Sequence, residues 1–114
     1  MSKLINLDQV RAANALAASE VKKSDNEGDN LSGYPSLVIN NGLIATIAFS
    51  VDKGKQHERI AFAIATHLAQ RGIILSNSAI GLRDALCAVS SSVLKRATAE
   101  TLAFLAYLKR FHRS

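Results

Sequence analysis

The sequence predicts an all-α protein: a single compact bundle of five or six helices, with residues 1–114 forming one domain. Three observations lead there. Hydrophobic residues make up 48% of the chain, yet aromatics are only 5% and Trp is absent. Alanine and leucine must therefore fill the core, and both are strong helix formers. Apolar residues recur at helical spacing on both sides of the one ambiguous stretch. Finally, 114 residues can enclose one core but not two.

The first helix starts at Asn6-Leu7-Asp8-Gln9, with Asn6 as N-cap and Gln9 reaching back in a capping box. Leu7, Val10, Ala13, Ala17 and Val21 follow at helical spacing. Lys22 and Lys23 suit its C-terminal end, where cations offset the helix dipole. Ser24 to Gly33 (SDNEGDNLSG) is a polar loop of turn formers. Its acids Asp25, Glu27 and Asp29 alternate like the start of a calcium loop. Glycine falls at the fourth place instead of the sixth, however, and Ser36 stands where the bidentate glutamate belongs. The trio reads as a solvated loop.

Tyr34 to Ser50 (YPSLVINNGLIATIAFS) is the ambiguous stretch. Asn41-Gly42 between two apolar runs is a strong signal for a tight β-hairpin. Such a hairpin would be the only sheet in the chain, and an isolated two-stranded hairpin is marginal in water. Consistency with its neighbours favours a helix running through Gly42, at a cost of about 1 kcal/mol relative to alanine. Asn40, Asn41, Thr46 and Ser50 scatter around the helical wheel, as expected of a helix covered by protein on most sides.

Asp52-Lys53-Gly54 forms the next turn, and a helical pattern resumes at Gln56 with Ile60, Ile64 and Leu68 on one stripe. Gly72 stops that helix after Arg71. Ser76 to Ser78 offer N-caps for a short helix holding Ile80, Leu82, Leu86 and Val89. The triplet Ser90 to Ser92 is either a break or a wet face. From Val93 a long amphipathic helix runs to about Phe111, with Val93, Ala97, Phe104, Leu108 and Phe111 on one side.

Catalytic signatures fail on inspection. His57-Glu58 begins like a zinc-protease helix, but Ala61 stands where the second histidine belongs. His57 and His67 point roughly 80° apart on one helix, so they are no ligand pair. His67 reads as a boundary side chain, and His112 sits in a basic tail. No serine elbow or phosphate-cradling glycine loop is present. Cys87, between Leu86 and Ala88, reads as a small buried hydrophobe in a reducing cytoplasm. No metal, no cofactor and no enzyme activity are expected. No secretory signal opens the chain, and the weakly polar run Leu37 to Val51 is too short to span a bilayer. The expectation is a soluble cytoplasmic protein with no membrane partner.

Net charge is +5, and +8 once Asp25, Glu27 and Asp29 are set aside. That balance attracts polyanions, or simply keeps a small protein soluble. Two segments offer binding signals. Ile64 to Leu86 looks like a helix-turn-helix with Gly72 in its turn, but it carries only Arg83 as an obvious contact residue. On the last helix, Lys95, Arg96, Lys109 and Arg110 lie opposite the apolar stripe, with Ala99, Ala103 and Ala106 between them. Small residues bracketed by cations suit a phosphate backbone, and a solvated face is the other reading.

Two blocks carry a family resemblance. Tyr34 to Phe49 resembles the Pro-Ser-x-hydrophobic-x-x-Asn-Gly-Leu helix of the small subunit of the Cmr complex, the type III-B CRISPR RNA-guided effector. Ala97 to Phe111 resembles its C-terminal helix, with Ala97, Glu100, Leu105, Lys109, Arg110 and Phe111 at matching places. Tyr107 stands where the family commonly has Trp, and Ser76 to Ser92 matches no family block.

The resemblance implies an all-helical bundle in which Asn41-Gly42 is not a turn. It also implies a non-catalytic antiviral subunit that stacks in copies of itself beside the repeated backbone subunit and the large subunit. Such subunits line the groove holding the guide RNA–target RNA pairing, where the protein recognises backbone and shape. On this reading Lys95, Arg96, Lys109 and Arg110 bind RNA, and Asn40, Asn41 and Gly42 form a subunit contact. Packing within the chain is the other reading of Asn41-Gly42. The alternative function is a free-standing helical DNA-binding regulator using Ile64 to Leu86.

Overall fold

The computed structural model describes residues 6–19 and 30–111. Val21, Lys22, Lys23, the acidic trio and His112 lie outside them. Six helices follow in order: α1 Leu7–Ser19, α2 Tyr34–Asn41, α3 Leu43–Lys53, α4 Lys55–Gln70, α5 Ala79–Leu86 and α6 Ser91–Phe111. No strand occurs among the described residues.

Local chemistry sets each boundary. The capping box of α1 forms as expected: Gln9 N donates to Asn6 Oδ1 and Asn6 N to Gln9 Oε1, both at 2.9 Å. Helix α4 ends in a Schellman arrangement, in which Gly72 N donates to the Ala69 carbonyl and Ile73 N to the Leu68 carbonyl. Gly72 takes the φ of +74° this requires. Ser78 caps α5, accepting from Gly81 N at 2.8 Å. The serine triplet proves to be a break, where Ser90 accepts from Val93 N through its side chain and from Leu94 N through its carbonyl. Val89 falls in that break, outside α5.

The ambiguous stretch is helical but not continuous. Gly42 has φ +90° and ψ +158°, a region essentially restricted to glycine, and divides the stretch into α2 and α3. The expected single helix through Gly42 is corrected accordingly. Asn41-Gly42 still makes no hairpin. Gly54, with φ +72° and ψ −163°, makes the same kind of junction between α3 and α4. Thr46 fastens the first junction, its hydroxyl lying 2.8 Å from the Gly42 carbonyl and 3.0 Å from that of Leu37.

Helix α1 packs along α6, and α4 contacts both. Helices α3 and α5 also pack on α4, while α2 closes against α3 and α6. Tyr34, Phe104, Leu43, Ile47, Ile64, Leu68, Leu82, Leu86 and Leu105 are fully buried between them. The Tyr34 hydroxyl meets Ser50 Oγ, whose own proton goes to the Thr46 carbonyl, so Tyr34 donates. Burial pushes its pKa up to about 12. Thr46 and Ser50 are thus buried and satisfied, which explains the polar scatter on this helical stretch.

Helix α1 departs from its expected apolar face. Ala13 and Ala17 are exposed, whereas Ala15 is buried and Arg11, Asn14 and Ala18 turn inward. The reason is polar: Arg11 and Asn14 have buried partners on α6 and α4.

Candidate nucleic-acid interface

Lys95, Arg96, Lys109 and Arg110 are all exposed on α6. At ~100° per residue they share an arc of about 140°, and at ~1.5 Å per residue the two pairs stand about 21 Å apart. None of the four has an ion-pair partner among the described residues. Ala99 and Ala106 are exposed between them and Ala103 is half-buried. Cations with no carboxylate to neutralise them attract a polyanion from solution.

The opposite side of α6 carries a feature that sequence reasoning missed. Glu100, 5% exposed, accepts from Arg11 Nε at 2.8 Å and Arg11 Nη2 at 2.9 Å. It also accepts from His67 Nε2 at 2.9 Å. The other ring nitrogen, His67 Nδ1, accepts from Asn14 Nδ2 at 2.8 Å, which fixes a neutral imidazole with its proton on Nε2. His67 stacks on Phe104 at 4.4 Å between centroids. Arg71 adds a second cation 3.8 Å from Glu100, too far for a hydrogen bond.

Hydrogen bonds from Arg11 hold Glu100 at a pKa of about 2, outweighing burial, and His67 acts in the same direction. Burial lowers the His67 pKa, against the pull of Glu100. His67 is therefore a core residue, 1% exposed, and not the boundary side chain its sequence context suggested. The available signal was Glu100 itself, an acid close to the apolar stripe of α6, which needs a cation once buried.

Asn40, Asn41 and Gly42 lie together at the α2–α3 junction, all exposed, with Ile39 beside them at 67% exposure. They are distant in sequence from the basic residues and no contact joins the two groups. Cys87 is exposed, contrary to the expected burial, because α5 ends at Leu86 and leaves it in the following turn. Among the described residues no group of three His, Cys, Asp or Glu side chains could hold a metal. None of the helices is long and apolar enough to cross a membrane.

Comparison with known proteins settles the family. The fold is similar to the crystal structure of a CRISPR-associated Cmr5 family protein from Thermus thermophilus. The TM-score is 0.76 at 26% identity, over 95% of each chain. No curated protein sequence matches the chain. The profile of the family described as CRISPR-associated protein (Cas_Cmr5) matches residues 7–114. The chain belongs to the Cmr5 family.

Membership in the Cmr5 family extends the resemblance beyond the two blocks that carried it, through Ser76 to Ser92 as well. It also disfavours the regulator reading, as does the local geometry. Eight residues separate α4 from α5, and α5 buries Ala79, Leu82 and Leu86. Its Arg83 is bonded to Asp84 at 2.9 Å. A recognition helix needs an open face with several contact side chains.

Proposed function

We propose that residues 1–114 act as one domain, the non-catalytic small subunit of a type III-B Cmr effector in the cytoplasm. Several copies stack along the repeated backbone subunit and meet the large subunit. The basic face of α6 helps hold target RNA in the groove where it pairs with guide RNA. One observation carries the RNA part of this reading: four exposed cations on one face of α6, none with an acidic partner among the described residues. Base pairing reads the sequence, so this face contributes charge without base selectivity.

The test replaces Lys95, Arg96, Lys109 and Arg110 with alanine and measures target-RNA capture by the assembled complex against salt. Removing one phosphate-binding cation should flatten the log–log salt slope by roughly 0.7 to 0.9. An unchanged affinity and slope would assign α6 to protein contact or solvent and overturn the RNA reading.

A further inference from the structure

We infer that copies of this chain dock through a Leu75 and Ile80 knob on one flank entering an apolar groove on the other. This rests on the stacking part of the proposed function and gives it a surface. Leu75, in the α4–α5 connection, is 80% exposed, and Ile80 at the start of α5 is 47% exposed. The groove encloses about 290 Å³ and is lined by Ala17, Ala18, Leu31, Ile60, Ala63 and Leu108 among others. An apolar cavity of roughly 150 Å³ already accepts a benzene molecule, so this one has room for branched aliphatic side chains.

The two features belong to opposite flanks of α4. The groove lies where α1 packs against α4 and α6, whereas the knob sits beside α5, which packs on α3 and α4. A chain with knob and groove on different surfaces makes a heterologous contact, which leaves one knob and one groove free for further copies. Charge agrees. The groove lining includes Arg59 and no acid, while Asp84 lies one turn beyond Ile80 on α5. An acid beside the knob and a cation in the groove favour this pairing.

The experiment uses the assembled effector and two single variants, Leu75→Glu on the knob and Ala17→Glu in the groove. Both positions are exposed, so neither variant threatens the fold. Native mass spectrometry counts copies of this chain per assembly. Each variant alone should reduce the count to one, because no copy–copy contact survives. An equal mixture should restore two and no more, since the intact knob of one variant fits the intact groove of the other. Wild-type assemblies with a single copy, unchanged counts in the variants, or a mixture no better than either variant would each overturn the inference. Loss of every copy would assign these surfaces to the backbone subunit and overturn it too. The basic residues are untouched, so the salt slope of RNA capture reports separately on the proposed function.

Discussion

Arg11 on α1 and Glu100 on α6, 89 residues apart in sequence, meet in a bidentate pair through Nε at 2.8 Å and Nη2 at 2.9 Å. Glu100 also holds His67 of α4, so one carboxylate ties three helices together. It lies on the inward side of the helix whose outward side carries the basic residues, and so fixes how that face is presented.

Removing this carboxylate leaves Arg11 partly buried without its acid. Glu100→Ala is expected to destabilise the fold by about 3 kcal/mol, the scale for breaking a buried ion pair. Urea denaturation of wild type, Arg11→Ala, Glu100→Ala and the double variant measures it. The double variant should lose less than the two single losses combined. Strict additivity would show that the pair is not coupled.

Acid should weaken the fold in two stages. Burial lowers the His67 pKa below its ordinary 6.5, so the unfolded chain takes up a proton that the native chain refuses. Stability present above pH 6.5 is then lost as pH falls. Glu100, held at about 2 against an ordinary 4.5, adds a second loss below about pH 4.5. Denaturation midpoints from pH 7 to pH 3 test this, and His67→Phe should remove the first stage. A wild-type midpoint that is flat between pH 7 and pH 5 would contradict it.

Gly42→Ala distinguishes a junction from a helix interior by its sign. In a continuous helix alanine would stabilise by about 1 kcal/mol. At φ +90° and ψ +158° it should destabilise by roughly 1–3 kcal/mol. The Cβ itself would meet nothing within 4 Å, so the destabilisation comes from the backbone and not from a clash. Thermal or urea unfolding of the purified variant reads the sign directly.

Cys87 should react with a thiol reagent in native buffer, giving one equivalent without denaturant, because it is exposed in the turn after α5. Cys87→Ser should change stability by less than about 0.5 kcal/mol. Labelling only after unfolding would place the thiol in the core.

The two basic pairs should act as separate contacts, being about 21 Å apart along α6. Replacing Lys95 and Arg96 alone, or Lys109 and Arg110 alone, should each remove part of the salt dependence of RNA capture, and the two effects should add. If one pair accounts for the whole effect, the polyanion does not span the helix.

The sequence by itself determined the helical class, the capping box at Asn6 and Gln9, the stop at Gly72 and the cationic face of α6. All of these follow from local rules: propensity, periodicity and hydrogen bonds within a few residues. Periodicity also identified the buried stripe of Ile60, Ile64 and Leu68. Tertiary structure decided what local rules cannot weigh. Gly42 reads equally as a helix interior or a break, and only packing of α2 against both α3 and α6 selects the break. Arg11, Asn14, His67 and Glu100 are polar, so periodicity places them outside. They go inside because each meets a partner from another helix, and a polar group can be buried only when its hydrogen bonds are met there.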